Sequence, residues 1–386
     1  MEKVYSDMIY LAACGINSIC PEQAVLGEPD VAELYRTSYT HFMDALVGTA
    51  LKQAGVSIPK AWDEHISKAI RKEILFDAER AQLLAFMEQK GIWYLTLKGI
   101  VLKDYYPSVG MRQMSDNDIL YDAGFGKEVQ SYMEARGYNG SNIGIGYHDS
   151  YEKKPIYNFE MHRILYGKAH QEGWMEYYGD VKKRLVLNAD TSYGYHFTDE
   201  DFYVYIVTHA YKHYTGSGTG LRTLLDFYAY LKVKEQELDF AYIEKECETL
   251  KCAEFERLNR SLCRKVFSKE AIENKEAIYK ALKKEEADLL EFYLTQGVYG
   301  TAEQGMKSRV DKFQKKTGSG SKLRYLLSRV FSKDSIYWDC PWAAKHKWLL
   351  PFACVWRAFM ILFSKERRSR MCCEMKIAGE KMDEKK

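Results

Sequence analysis

Residues 97–121 read LKGIVLKDYYPSVGMRQMSDNDILY, and within this stretch the spacing of apolar residues changes from helical to strand-like. The residues just before it, 92–97, are β-branched and aromatic and predict a buried strand. A short helix is expected over residues 100–105 and ends before Pro107. Residues 118–121 predict a second strand. A strand, a glycine turn, a helix and a strand in this order indicate a compact α+β unit.

Two aspartates, Asp116 and Asp118, stand at the start of the second predicted strand. Residues i and i+2 of a strand point to the same face, so we expect the two carboxylates to converge. Like charges so close together suppress the ionisation of at least one of them. A divalent cation removes that penalty, because hard cations prefer carboxylate oxygen. A solvated turn is the alternative interpretation, since Asp and Asn favour turns.

The neighbouring residues favour the metal interpretation. Gly99 follows a strand and opens a helix, a place where backbone N–H groups bind phosphate oxygens. Lys98 adds a positive charge there, and Arg112 offers a bidentate donor. Glu160 lies on a third strand, predicted over residues 157–165, and is the natural third ligand or general base. Three acids, flanking cations and a glycine turn suit phosphoryl or nucleotidyl transfer with two metal ions. We call Asp116, Asp118 and Glu160 the carboxylate triad.

These residues resemble a known group of enzymes. The pattern Lys98-Gly99, then Arg112-x-x-Ser115-Asp116-x-Asp118, then Glu160-x-His162 is similar to that of the DNA-polymerase-β-like nucleotidyltransferase superfamily. More narrowly, it resembles an uncharacterised bacterial nucleotidyltransferase family in which Lys-Gly replaces the usual glycine turn. Two further segments add to the likeness: Gly220-Leu221-Arg222-x-x-x-Asp226, and Leu350-Pro351 with Trp356-Arg357.

The resemblance implies a small mixed-sheet core in which the carboxylate triad binds Mg²⁺ or Mn²⁺. It also implies a nucleoside triphosphate donor, held by Lys98, Gly99, Arg112 and Ser115. An acceptor hydroxyl would attack the α-phosphate, and pyrophosphate would leave. Ile100 departs from the superfamily pattern, because it stands where a Ser or Thr usually contacts the phosphates. This departure leaves a second interpretation open, a catalytically inactive nucleotide-binding or scaffold module.

The acceptor and the nucleobase are open at this stage. A small molecule, an RNA 3′ end and a protein hydroxyl are the three acceptor classes considered. The net charge is only +2, which does not favour a large RNA footprint, because phosphate contacts need clustered cations. The oligomeric state is also open.

Five further residues are candidates whose roles stay open: His162, His209, His213, Arg222 and Asp226. His162 shares the face of Glu160 and either orients a reactant or is a hydrogen-bonded structural residue. His209 and His213 are one helical turn apart, a spacing compatible with zinc, but no HExxH glutamate lies between them. Their helix is expected to line the cleft opposite the acids. Arg222 and Asp226 have i, i+4 spacing, which indicates either a helix salt bridge or a role in the cleft.

The periodicity divides the chain into three regions. Residues 1–80 predict a helical N-terminal region, 81–195 the nucleotidyltransferase core, and 196–386 a large all-helical C-terminal domain. A long helix over residues 65–89 links the first two regions. Its inner face is expected to consist of Ile70, Ile74, Leu75, Leu83, Leu84 and Phe86.

Composition predicts a soluble cytoplasmic protein. Hydrophobic residues make up 46% of the chain and charged residues 28%, as in ordinary globular proteins. The nine cysteines form no C-x-x-C pair, which is typical of reduced thiols. The N-terminus has no basic region of the kind that starts a signal peptide.

The apolar segment 348–363 precedes a basic stretch, 365–370. It falls short of the roughly 20 apolar residues that a spanning helix needs, and it contains Pro351 and Arg357. A core helix, or a surface helix lying on a partner, is favoured over peripheral contact with an anionic membrane.

Overall fold

The computed structural model describes residues 2–167, 170–318, 320–332, 335–336, 339–340, 342–343 and 346–383. These residues combine a seven-stranded mixed sheet with many helices, which confirms the predicted α+β class. Contacts divide the chain into two compact units, Met1–Lys212 with Thr219–Val298, and His213–Gly218 with Tyr299–Lys386. The three-part division at residues 80 and 195 stays a prediction.

The sheet lies in the first unit and has the order β3-β4-β5-β2-β1-β7-β6. The central pair β2 and β5 is parallel, as is β1 with β7, and the other pairs are antiparallel. The three strands predicted from sequence are β1, β2 and β5. The strands are β1 Tyr94–Thr96, β2 Asn117–Tyr121, β3 Asn139–Ser141, β4 His148–Lys153, β5 Tyr157–His162, β6 Leu185–Leu187 and β7 Gly194–Phe197.

Along the chain, helices precede the strands, lie between them and follow them. Those before and within the sheet region are α1 Lys3–Asn17, α2 Gln23–Leu26, α3 Val31–Thr40, α4 Asp44–Gln53, α5 Lys60–Lys90, α6 Gly99–Leu102, α7 Gly126–Ala135 and α8 Trp174–Tyr177. Those that follow and lie wholly or mainly in the first unit are α9 Asp199–Tyr214, α10 Leu221–Lys234, α11 Phe240–Thr249, α12 Ala253–Phe267, α13 Lys269–Glu273, α14 Lys275–Lys280 and α15 Lys284–Gln296.

The first half of the long helix α5 turns a different face inward from the one expected. Ile70 and Ile74 are 38% and 56% exposed, so the prediction of their burial is wrong. Leu83 is buried as predicted, and Leu84 and Phe86 pack against the same core; Phe76 and Met87, which were not predicted, also belong to it. Polar partners explain why Ile70 and Ile74 do not face the core. Glu73 accepts the Gly110 N–H at 2.7 Å, and Arg80 donates to Asn117 Oδ1 at 2.8 Å; these buried groups need those partners. The helix therefore faces the start of β2 with polar as well as apolar groups.

In the part of the second unit that the structure describes, four further helices are α16 Ala302–Thr317, α17 Lys322–Val330, α18 Leu350–Phe363 and α19 Lys365–Asp383. Buried Glu374 ties three of them together, since it accepts hydrogen bonds from Arg309, Tyr325 and Arg329. Among the described residues, none of the helices has the length and apolarity to cross a membrane.

Helix α18 exposes a row of large apolar side chains, Phe352, Val355, Trp356, Phe359, Leu362 and Phe363, each at least 55% exposed. The core-helix interpretation of this segment is therefore wrong. A surface helix lying on a partner stays a prediction.

Candidate active site

The parallel pairing of β2 with β5 places Asp118 directly beside Glu160. Asp118 is buried, at 3% exposure, and the Glu160 side chain is 27% exposed. The Leu97 N–H donates to the Asp118 carbonyl at 3.0 Å, which ties the turn after β1 to the start of β2. Sheet register and this turn therefore bring together residues that are far apart in sequence.

Lys98 sits in that turn with φ 41° and ψ −109°, a backbone conformation that favours glycine. Its ammonium lies 3.1 Å from Asp118 Oδ2. Burial opposes this charge, but the carboxylates of Asp118, Asp116 and Glu160 outweigh burial and raise the pKa of Lys98 above its usual value. The neighbouring Ile100 side chain packs in the core and offers nothing to a ligand. Lys98 is thus the cationic centre of the carboxylate triad.

The two aspartates have opposite electrostatic environments. Burial, followed by the charge of Asp118, raises the pKa of Asp116 to about 6. At Asp118, burial also disfavours charge, but the Lys98 ammonium and a hydrogen bond from His162 hold the pKa well below its usual range. Two neighbouring carboxylates with oppositely shifted pKa values are typical of a functional site.

His162 is buried and lies close to an acidic residue on each of the strands β2 and β5. Its Nε2 lies 2.9 Å from Asp118 Oδ1 and 3.7 Å from Glu160 Oε2. His148 faces His162 across the β4–β5 pair, with Nε2 3.9 Å from Glu160 Oε2. His148 was not predicted as a site residue, because β4, HDSYEK, is too polar to stand out as a strand. Among the described residues, one group could hold a metal ion, because its ligand atoms all lie within 4.8 Å of one another. The group consists of His148, Glu160 and His162.

Three described cations on helices interact electrostatically with the triad: Lys72 of α5, Lys212 of α9 and Arg222 of α10. The charges of Lys72 and Arg222 each interact with Asp116. Burial, followed by repulsion from Lys98, lowers the pKa of Lys212 to about 7, while the carboxylates pull it the other way. Neither Lys72 nor Lys212 carries a local signal in the sequence, because single lysines on helices usually face solvent.

Arg112 is held by α10. Its Nε and Nη2 each lie 2.8 Å from a different oxygen of Asp226, and the Tyr106 hydroxyl donates to the same carboxylate. Asp226 therefore pairs with Arg112, whereas Arg222 donates to the Gln113 carbonyl at 2.7 Å. The helix salt bridge between Arg222 and Asp226 is not the pairing that forms.

Gly99 and Ser115 each lie close to a cation beside the triad. A Cβ added to Gly99 would lie 2.7 Å from Arg112 Nη1, so a larger residue here would displace the Arg112 guanidinium. The Ser115 carbonyl is 3.5 Å from Lys72 Nζ. His209 and His213 lie on α9 and do not belong to the group of metal-ligand atoms found among the described residues.

The donor set fits a hard divalent cation. The three carboxylates carry more negative charge than Lys98 alone compensates, and carboxylate oxygens are the ligands that Mg²⁺ and Mn²⁺ prefer. The added cations on α5, α9 and α10 suit an anionic reactant with several charges.

A mixed sheet that carries paired carboxylates on neighbouring parallel strands, ringed by lysine and arginine, is the arrangement expected of a nucleotidyltransferase. The chain belongs to the family described as uncharacterised nucleotidyltransferase, whose model matches residues 27–268. Searches of curated proteins and of solved structures returned no match.

Proposed function

We propose that this chain is a metal-dependent nucleotidyltransferase, which moves a nucleoside monophosphate from a nucleoside triphosphate to an acceptor hydroxyl. The observation that carries the proposal is that Lys98 pairs with Asp118 at 3.1 Å and is also stabilised by the charges of Asp116 and Glu160. Family membership supports the reaction class.

In this proposal the carboxylate triad holds Mg²⁺ or Mn²⁺. A bound divalent ion stabilises the charge that develops at the α-phosphate and lowers the pKa of a coordinated hydroxyl. Lys98 Nζ now lies against Asp118 Oδ2, so it has to withdraw when that oxygen binds a cation. The withdrawn ammonium is then available to the triphosphate, in place of the hydroxyl that Ile100 lacks.

The triphosphate is proposed to lie over Lys98 and Gly99, with Ser115 nearby. Lys72, Lys212 and Arg222 add positive charge from the helices. Arg112 is bound by Asp226, so its contribution is to support the Gly99 turn, and its direct contact with phosphate stays a prediction.

The chemical step is an in-line displacement. The acceptor oxygen forms a bond to the α-phosphorus, and the bond from that phosphorus to the α–β bridging oxygen breaks. Pyrophosphate leaves with the electron pair of the broken bond. Glu160 either completes the cation site or accepts the hydroxyl proton. The acceptor is a small molecule, an RNA 3′ end or a protein hydroxyl.

One observation favours a second candidate function, an inactive nucleotide-binding or scaffold module. The Lys98 ammonium already compensates Asp118, and Ile100 removes a usual phosphate contact. Metal dependence separates the candidates, because a scaffold turns over no nucleotide with any metal ion.

A thermal-shift panel tests nucleotide binding at this site. Wild type, Asp116→Ala, Asp118→Ala and the control Asp104→Ala, at an exposed acid on the same segment, are melted with ATP, GTP, CTP or UTP, with and without Mg²⁺. The proposal predicts that at least one triphosphate stabilises wild type and the control, only with Mg²⁺, and leaves both triad variants unshifted. Equal shifts in all four proteins would contradict the proposed site. No shift with any triphosphate in wild type would contradict nucleotide binding itself.

A further inference from the structure

The sheet register places three metal-ligand side chains on one face, beside the carboxylate triad. On β5, Glu160 and His162 are two residues apart and share a face. On β4, His148 is the register partner of His162, so its side chain points to that same face. We call His148, Glu160 and His162 the histidine–glutamate group.

The distances between ligand atoms in this group are close to the distances between the ligand atoms around a bound metal ion. Glu160 Oε2 lies 3.7 Å from His162 Nε2 and 3.9 Å from His148 Nε2. Ligand atoms about 2.0–2.2 Å from one ion stand roughly 3–3.6 Å apart. Small rotations of the three side chains therefore suffice to close the group on an ion.

Each of the two imidazoles directs only its Nε2 toward the place where a metal ion would bind. Nδ1 of His148 and Nδ1 of His162 are buried without a hydrogen-bond partner in the part of the chain that the structure describes. Both Nε2 atoms point toward Glu160, and Tyr147 packs on both rings, with centroids 4.6 and 5.8 Å away. The rings are thus fixed with Nε2 directed into the group.

We propose that the histidine–glutamate group is a binding site for a divalent transition metal ion, such as Zn²⁺ or Co²⁺. Two imidazoles and one carboxylate select such ions, whereas Mg²⁺ prefers oxygen ligands. The site differs in chemistry from the Asp116–Asp118 pair and shares only Glu160 with the triad. The inference goes beyond the proposed function, because ion binding here requires neither nucleotide nor turnover.

Ion binding at this group changes the surroundings of Asp118. The Nε2 of His162 now hydrogen-bonds Asp118 Oδ1. A metal ion takes the lone pair of that nitrogen, so Nε2 can no longer donate. Asp118 then either becomes a further ligand or turns toward Lys98. Occupancy of the histidine–glutamate group is therefore coupled to the proposed reaction centre.

Cobalt titration in the presence of excess Mg²⁺ and without nucleotide tests the proposal. The exposed thiols of Cys20, Cys372 and Cys373 are alkylated first, because thiolates also bind Co²⁺. We expect wild type to bind one equivalent of Co²⁺, seen as visible d–d absorption that Zn²⁺ abolishes and further Mg²⁺ does not.

The variants are His148→Ala and the milder His148→Gln, with His196→Ala as the control at an exposed imidazole on β7. We expect both His148 variants to lose at least tenfold in Co²⁺ affinity and the control to keep it. The same spectrum and affinity in all four proteins, or no Co²⁺ spectrum in wild type, would overturn the site. Asp116→Asn is expected to keep the Co²⁺ spectrum while losing nucleotide binding, so failure of this site is distinguishable from failure of the proposed function.

Discussion

Lys98 combines two features that oppose each other at the level of a single residue. Its side chain compensates the buried charge of Asp118 at 3.1 Å. Its backbone, at φ 41°, lies in a region that costs about 1–3 kcal/mol for a residue other than glycine. The superfamily pattern that the sequence resembles has glycine here. The charge is therefore retained despite backbone strain, which is typical of residues at functional sites.

Replacing Lys98 with Gly and with Ala separates these two features. Both changes remove the ammonium, but only glycine adopts this backbone without strain. We expect Lys98→Gly to be more stable than Lys98→Ala by about 1 kcal/mol in urea unfolding at pH 7 without metal ions. Equal stability, or a more stable alanine variant, would show that the backbone conformation carries no strain.

The carboxylate triad could be predicted from the sequence because its signals lie in short local patterns. Asp116 and Asp118 follow the two-residue period of a strand, and Glu160 alternates with apolar neighbours on its own strand. Lys72 and Lys212 had no such local signal. A lysine on a helix looks the same in sequence whether it faces solvent or a buried carboxylate, and only the tertiary fold distinguishes the two. The roles of all these residues in catalysis stay predictions.

At the scale of elements, the loop before β2 is attached to α10 by a buried ion pair. The Arg112 and Asp226 side chains are only 7% and 11% exposed. Removing one partner of such a pair leaves an uncompensated buried charge, which is strongly destabilising. The pair therefore fixes the approach of the Gly99 turn to the site.

We expect Asp226→Ala to lower the free energy of unfolding by about 3–5 kcal/mol. The double variant Arg112→Met/Asp226→Leu removes both charges and should recover a large part of that loss. Urea unfolding of the three proteins at pH 7 measures both effects. A double variant as unstable as the single one would argue against charge burial as the cause.

His41 supports the first turn of α10 through a different interaction. Its Nδ1 accepts the Leu221 N–H at 3.2 Å, and the residue is 1% exposed. Burial lowers the pKa of His41 to about 4, against a small opposing effect of a hydrogen bond to the Leu294 backbone. The folded protein therefore keeps the ring neutral at pH values where the unfolded chain protonates it.

The sign of the pH dependence follows from that difference. Above about pH 6.5 the ring is neutral in both states and the stabilisation is fully present. As the pH falls toward 4, the unfolded state gains a proton first, so about 3 kcal/mol of stability is lost. We expect His41→Gln, whose amide oxygen accepts the same N–H, to lose less stability than wild type between pH 6.5 and 4. Parallel stability curves for the two proteins would contradict this role of His41.

The strands show which parts of the sheet local patterns can predict. β1, β2 and β5 contain buried apolar residues and were predicted. β3 is exposed, β6 is mostly exposed, and β4 is polar on the face that bears His148. Their pairing depends on neighbours that are distant in sequence. For the same reason the burial of Ile70 and Ile74 on α5 was mispredicted, because the partners of Glu73 and Arg80 set the inner face there.

For the whole molecule, the net charge of +2 hides an uneven local distribution. The first unit gathers Lys72, Lys98, Lys212 and Arg222 around three acids, an arrangement that whole-chain composition does not reveal. The composition of the whole chain indicates only that the protein has no broad basic surface. The local charges favour a compact polyanion such as a triphosphate, and they leave the acceptor class open.

Transfer of an α-phosphate label tests the central claim most directly. Purified protein is incubated with each α-³²P-labelled triphosphate and Mg²⁺, and heat-inactivated cell extract supplies RNA, protein and small-molecule acceptors without active enzymes. We expect label on one acceptor class, pyrophosphate released in equal amount, and loss of both in Asp118→Asn but not in Asp104→Ala. Equal transfer by Asp118→Asn would contradict the assigned site. A triphosphate that binds wild type without transfer, with either Mg²⁺ or Mn²⁺, would contradict the enzymatic function and favour the inactive module.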